Sequence, residues 1–248
     1  MIGLFDSGSG GLSVLSALRT RSPYADVAYF GDIKNAPYGV RSQEELAALT
    51  VAGVEILKRM GATEIVSACN SVSQSVLNGA VGNMPFVEMS APTAALMRTY
   101  EGKRALLIAT PATVDSGMYA KALENSVELD SLPITGLAGA IEFGATHDEI
   151  ARIVRAAFQE RKGKAYDCLI LGCTHYPLVR DAIEDEARAV FGSLAVIDPA
   201  QPVAEEVSKK FNVAGEGKCV FKISAESDTF RRRVSGLFPE GGYTIEVI

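Results

Sequence analysis

Asp167-Cys168-Leu169-Ile170-Leu171-Gly172-Cys173-Thr174-His175 reads as a buried strand that stops at a small residue, a cysteine and two polar residues. Glu64-Ile65-Val66-Ser67-Ala68-Cys69-Asn70-Ser71 has the same plan earlier in the chain. A continuous apolar run bounded in this way is the pattern of a strand covered on both faces, as in a parallel sheet. Outward from this pair, short apolar runs alternate with helical patterns. Strand candidates are Ile2–Phe5, Val27–Phe30, Glu64–Ser67, Phe86–Glu88, Ala105–Ile108, Cys168–Leu171 and Ala195–Ile197. The clearest helix, Gln43 to Met60, opens at Ser42 with Glu45 three residues on, the spacing of a capping box. The alternation predicts an α/β fold with mostly parallel sheets, whose ligands sit at the carboxyl ends of the strands. A fainter echo pairs Gly3–Gly8 with Leu107–Thr113, each an apolar strand ending in a small polar loop. The two echoes predict related halves that face Cys69 and Cys173 across a cleft. Lys218–Ser224 and Tyr243–Val247 also read as strands around a short helix, but local pattern gives them no place in either half.

The chain has 248 residues, 48% hydrophobic and 22% charged, room for one large α/β domain or two small ones with a substantial core. A net charge of −6 gives no attraction to a polyanion. The one dense basic run, Arg231-Arg232-Arg233, follows Asp228 in a helical pattern and reads as a solvated helix face rather than a nucleic-acid contact. No apolar stretch approaches the roughly 20 residues that span a bilayer. Ile2-Gly3-Leu4-Phe5 reads as a first strand rather than part of a signal peptide. Four cysteines in a chain of this length do not make a disulfide framework, so a reducing cytoplasm is expected and each thiol is core or chemistry.

Cys69 and Cys173 share a context of strand, small residue, cysteine, polar residue and then a helix-compatible stretch. A helix beginning just beyond the sulfur would aim free amide N–H groups at it, stabilise the thiolate and lower its pKa from about 8.5. The alternative is a pair of buried small hydrophobes, since free cysteine is among the most buried residue types. Cys168 and Cys219 lie inside apolar runs and read as core. His175 is placed either to orient or deprotonate Cys173, or to bond to backbone at a helix start. His147 reads as exposed at a helix opening. Cys69, Cys173 and His175 lack Cys-x-x-Cys or His-x-x-x-His spacing, so no metal is expected. Gly8-Ser9-Gly10-Gly11-Leu12-Ser13 sits where a dinucleotide fingerprint would, but Ser13 replaces its third glycine and no P-loop lysine follows. The glycines instead predict close backbone approach to a small carboxylate near a helix N-terminus. Asp6 is placed to bind an ammonium group, to assist a thiol, or to cap the following helix.

These segments resemble the glutamate racemase family. Phe5-Asp6-Ser7-Gly8-Ser9-Gly10-Gly11-Leu12-Ser13-Val14-Leu15 is similar to the family's opening. Tyr29-Phe30-Gly31-Asp32, Ala36-Pro37-Tyr38-Gly39, Ala109-Thr110-Pro111-Ala112-Thr113-Val114 and Glu142-Phe143-Gly144 match in the expected order. Ala68-Cys69-Asn70 and Leu171-Gly172-Cys173-Thr174-His175-Tyr176-Pro177-Leu178 look like its two catalytic segments. The resemblance covers roughly residues 1–205. It implies two pseudo-symmetric α/β domains, 1–92 plus 205–248 and 93–204, with the active site in the cleft between them and the tail beside the first.

The resemblance also implies a chemistry. Racemisation at Cα removes a proton from one face and delivers one to the other, which two opposed thiols do by exchanging roles as base and acid. By resemblance Cys69 deprotonates the D-enantiomer with help from Asp6, and Cys173 the L-enantiomer with help from His175 and Glu142. Asp6, Ser7, Pro37, Tyr38, Gly39, Asn70, Ser71, Thr113 and Thr174 hold the substrate. Neither metal nor pyridoxal phosphate is implied. The implied substrate is glutamate, the product D-glutamate for peptidoglycan, and the working form a homodimer. Val40 and Val72 stand where the family commonly has Ser and Ala. Both lie near the implied pocket, which keeps aspartate or another amino acid open as the substrate. A reading of another class, an amino-acid-binding protein without turnover, has no use for two cysteines backed by Asp6, Glu142 and His175. A cleft between two domains predicts closure on substrate. Scattering profiles should become more compact on adding D-glutamate, and identical profiles would count against closure.

Overall fold

Strands with no polar face need cover on both sides, and the chain supplies it twice. The computed structural model describes residues 1–248. Its strands are β1 (Ile2–Asp6), β2 (Val27–Gly31), β3 (Glu64–Ser67), β4 (Phe86–Val87), β5 (Arg104–Ala109), β6 (Glu128–Pro133), β7 (Cys168–Gly172), β8 (Ala195–Ile197), β9 (Cys219–Ile223) and β10 (Tyr243–Val247). They form a six-stranded sheet ordered β10-β9-β2-β1-β3-β4 and a four-stranded sheet ordered β6-β5-β7-β8. Every pairing is parallel. Every residue of β1, β2 and β7 is buried, which accounts for their unbroken apolar runs.

Helices Leu12–Arg21, Ala200–Lys210 and Asp228–Leu237 cover one face of the first sheet, and Gln43–Arg59 with Gln74–Val81 cover the other. The second sheet is packed likewise on both faces. Ser42 and Glu45 close the expected capping box. No helix is long and apolar enough to cross a membrane.

The tail finds its place through aromatic packing. Strand β9 pairs with β2 and β10 with β9, so the tail extends the first sheet. Phe221, Phe230 and Tyr29 meet with ring centroids 5.5–5.9 Å apart, and Phe238 joins them. These contacts link residues distant in sequence, which is why local pattern left the tail without a partner. Strand β6 escapes the sequence reading for another reason. It is an edge strand whose residues Leu129, Asp130 and Ser131 are only half-buried, so no apolar run marks it.

The topology brings the carboxyl ends of β1, β3, β5 and β7 to the junction of the two sheets. Asp6 closes β1, Cys69 follows β3, Thr110 follows β5 and Cys173 follows β7.

Gly53, on the helix Gln43–Arg59, lies flat against the first sheet. A Cβ there would collide with the Phe5 ring and crowd Phe30. Gly53→Ala should lower stability by about 1–3 kcal/mol. Gly79→Ala, with nothing near its Cβ, should raise stability by about 0.4–1 kcal/mol. Denaturant melts of both variants check the contrast, and equal midpoints would refute the close packing at Gly53.

Candidate active site

The glycine-rich loop after β1 carries Asp6, which is fully buried. One Asp6 oxygen accepts the Gly8 N–H at 3.0 Å and the other accepts the Thr174 hydroxyl at 3.2 Å. The helix that follows starts at Gly11 without a side-chain cap, so Asp6 is not its N-cap. Burial raises the Asp6 pKa. The loop does bring backbone to a carboxylate, but that carboxylate is the protein's own. A Cβ on Gly8 would lie 2.8 Å from the Glu142 carboxyl, and one on Gly10 would lie 2.5 Å from His175 Nδ1. Glycine there lets the end of β7 and the helix Leu137–Glu142 close onto the loop.

On the second sheet, His175 Nδ1 lies 3.8 Å from Cys173 Sγ. His175 Nε2 donates to Glu142 Oε2 at 2.6 Å. The same oxygen accepts the Ser9 amide at 3.0 Å and the Ser9 hydroxyl at 2.6 Å. Burial works against charge on both partners, but their mutual bond and the Ser9 donors prevail. Glu142 is held down at about 2. His175 is held up at about 10 by its bonds to Cys173 and Glu142. The structure therefore brings Cys173, His175 and Glu142 into one chain of contacts.

Cys69 occupies the facing position. Its surroundings overturn the expected thiolate. Burial, together with the Asp6 charge, pushes the thiol up to about 12, and the Ser71 amide and Ser7 hydroxyl only partly offset this. A turn at Asn70–Ser73 precedes the helix Gln74–Val81, and the Ser71 amide that reaches the sulfur does not outweigh burial. The Cys173 sulfur lies close enough to add to the upward push on the Cys69 thiol. They are only 5% and 6% exposed, so the cleft between them is shut. No group of three or more His, Cys, Asp or Glu side chains is arranged to hold a metal ion. All four cysteines are unpaired, with Cys168 and Cys219 in the core.

Ser7, Asn70, Ser71, Thr113 and Thr174 are all buried around this junction. Ser71 Oγ lies 3.1 Å from Thr110 Oγ1, which lies 2.9 Å from Thr113 Oγ1. Gly39 packs flat on Thr110, and Pro37 lies beside Gly139. The Tyr38 hydroxyl donates to Asp32 at 2.6 Å, and Tyr38 packs in the same core as Cys69. Asn70 Oδ1 accepts from the Tyr119 hydroxyl at 2.6 Å, which leaves the buried Asn70 Nδ2 without a partner. Val40 is 64% exposed and Val72 is buried in the apolar core. Val72 shares that core with Cys69 and Tyr38, while the Val40 side chain faces solvent.

Sequence reading missed Ser9, Thr110, Tyr119 and Arg233. Thr110 carries a local signal, since a threonine before Pro111 caps the short helix Pro111–Asp115. Tyr119 has none. Arg233 contradicts the solvated basic face: while Arg231 pairs with Glu226 in solvent, Arg233 turns inward to the Ser9 hydroxyl and to the Ile141 carbonyl at 2.7 Å. His147 is exposed, as its helix-opening position predicts.

The chain matches the family model described as Asp/Glu/Hydantoin racemase over residues 13–207. It is 33% identical to "Glutamate racemase 2" of Caldanaerobacter subterraneus subsp. tengcongensis, covering 93% of this chain and 90% of that protein. It is also 33% identical to the glutamate racemase of Aquifex aeolicus, covering 96% and 94%. A solved glutamate racemase isoform from Bacillus anthracis superposes with a TM-score of 0.87 at 27% identity, covering 100% of this chain and 97% of that one.

The charged pair sets a pH dependence of stability. The pKa of Glu142 is depressed from 4.5, so its contribution is present above that value and lost as pH falls through about 2. The pKa of His175 is raised from 6.5, so its contribution is present below that value and lost as pH rises through about 10. Glu142→Gln should therefore cost most between these windows, about 3–5 kcal/mol. Denaturation at stepped pH tests it, and a cost that does not vary with pH would refute the ion pair.

Proposed function

The chain belongs to the Asp/Glu/Hydantoin racemase family, and on that premise we propose that it interconverts L- and D-glutamate by passing the Cα proton between Cys69 and Cys173. It is an amino-acid racemase by that membership. The observation that carries the reading is the pairing of two buried cysteines with different helpers. Cys69 stands by Asp6, and Cys173 stands by His175 and Glu142. One thiolate takes the proton from one face of Cα while the other thiol protonates the opposite face, and the roles reverse with direction.

The Cys69 side favours the thiol at neutral pH, so it begins as the acid. On the Cys173 side the imidazole lies 3.8 Å from the sulfur, placed to exchange a proton with it. This arrangement is ready to take a proton from L-glutamate. After turnover the protonation states are exchanged, and Asp6 assists Cys69 in the return. The carbanion formed at Cα has no electron sink, and fixed dipoles in a water-poor cleft lower its energy. The unpartnered Asn70 Nδ2 supports a carboxylate subsite, since a buried donor is costly until it finds an acceptor. Ser7, Ser71, Thr113 and Thr174, with the backbone at Pro37, Tyr38 and Gly39, complete the proposed binding set. Glutamate is favoured by the names of the relatives.

The same reading divides the chain into domains at 1–92 plus 205–248 and 93–204. The two separate sheets support that division. Because the thiols are shut in, substrate entry needs the sheets to part, a gating step of the kind that often limits turnover. Supply of D-glutamate for peptidoglycan by a cytoplasmic homodimer belongs to the same proposal.

Purified protein incubated in D2O with each enantiomer of glutamate and aspartate, without added cofactor, tests the proposal. Loss of the Cα–H NMR signal with inversion on glutamate is expected. Cys69→Ser and Cys173→Ser should each lower racemisation by about 10²–10⁴-fold. Exchange on aspartate alone would replace the substrate, and no exchange on either would sink the reading.

A further inference from the structure

We propose that Arg233, from the C-terminal helix Asp228–Leu237, is a positioning residue that sets the direction of the hydrogen bonds running to Cys173. The inference rests on the two-cysteine reading above. Arg233 Nη1 donates to the Ser9 hydroxyl and Nη2 donates to the Ile141 carbonyl at 2.7 Å. Nη1 also lies 3.9 Å from Glu142 Oε2, and the side chain is only 22% exposed. The contact spans the molecule. Arg233 and Ser9 pack with the first sheet, whereas Ile141, Glu142 and His175 belong with the second.

The logic is one of donor polarity. A guanidinium only donates, so Ser9 Oγ receives from Arg233 and must give its single proton elsewhere. The acceptor in reach is Glu142 Oε2 at 2.6 Å. With the Ser9 amide and hydroxyl both donating to that oxygen, Glu142 is held as a carboxylate, and His175 Nε2 must be a donor to it. That fixes the tautomer. Neutral His175 keeps its proton on Nε2 and turns the Nδ1 lone pair toward the Cys173 thiol, and imidazolium turns an Nδ1–H toward the thiolate. The proton therefore passes between sulfur and Nδ1 while Nε2 stays protonated. Without Arg233 the Ser9 hydroxyl is free to rotate, and the bonding around Glu142 loses its fixed sense. Hydrogen bonds to the Ile141 carbonyl from the same guanidinium hold the end of the helix Leu137–Glu142, and with it Glu142, against the glycine-rich loop.

The test uses a property of racemisation. Enantiomers have equal free energy, so any variant must lower kcat/KM equally in both directions. Damage to one proton transfer instead appears as an asymmetry in the primary isotope effects of substrate deuterated at Cα. Arg233→Met should lower kcat/KM roughly ten- to hundred-fold, the worth of a hydrogen bond in a charged network. Its isotope effect should rise from L-glutamate, whose proton Cys173 takes, and fall from D-glutamate. Arg233→Lys, which keeps a charged donor, should recover part of the rate and of the normal isotope effects. Arg233→Met should add little in a Ser9→Ala background, because both act through one link. Unchanged rates, isotope effects that stay at wild-type values from both enantiomers, or fully additive losses would each overturn the proposal. Should Arg233→Met fail to fold, Arg233→Lys and Ser9→Ala carry the same isotope comparison. The wild-type exchange arm keeps this result separate from failure of the racemase reading itself.

Discussion

One oxygen of Glu142 concentrates the demands of this molecule. It is buried and charged, and it takes hydrogen bonds from the Ser9 amide, the Ser9 hydroxyl and His175. A buried carboxylate is costly unless its neighbours replace the lost water. Two of the three donors come from the loop after β1, so the second sheet can satisfy its own carboxylate only by docking on the first. The glycines at positions 8 and 10 follow from the same need, because any side chain there would hold the two parts apart. The tail follows as well. It pairs β9 onto β2 and carries the helix that lays Arg233 against Ser9.

The two sides of the cleft are unlike, and the difference is in kind. Burial, with a buried carboxylate nearby that resists a second negative charge, holds the Cys69 thiol up at about 12. Cys173 has an imidazole backed by a carboxylate, which supplies a positive charge that can move its proton to sulfur. A site with two matched thiolates would repel an anionic substrate and also itself. A site in which an imidazole accompanies one of the two sulfurs can carry less net charge into a water-poor cleft.

Much of the fold was legible because the deciding signals were local. Seven buried strands announced themselves as apolar runs, and Ser42 with Glu45 marked a helix start that the structure forms. The cysteines, Asp6 and His175 stood at strand ends, where parallel sheets collect chemistry. Glu142 entered only through family resemblance, since a glutamate ending a short helix has no pattern of its own. What failed to show was set by tertiary contact. Strand β6 lies at an edge and keeps polar residues, Tyr119 reaches Asn70 from another part of the chain, and Arg233 sits in a run of arginines that local pattern assigns to solvent. The thiol expectation failed for a related reason. Sequence shows that a helix follows Cys69, but not the burial and the Asp6 charge that raise its thiol.

The unlike half-sites do not conflict with a reaction whose two directions have equal driving force. Equal free energies of the enantiomers fix the ratio of kcat/KM values, yet they place no demand on how each proton is handled. The protein has only to make the two barriers meet at one carbanion. On the proposed mechanism a thiol that holds its proton tightly is a weak acid, yet it suffices, because an amino-acid Cα anion without an electron sink is a stronger base than the thiolate left behind. The carboxylate near Cys69 therefore costs little in the direction that protonates. In the reverse direction Asp6, whose own pKa burial raises, has to share in taking up that proton. On the other side the proton has somewhere to go, since His175 can take it while Glu142 stays charged. The glycine loop, β7 and the tail thus converge on the half-site that stores a charge pair, while the Cys69 half-site rests on β1 and β3 with Thr110 and Tyr119 reaching it from the second sheet.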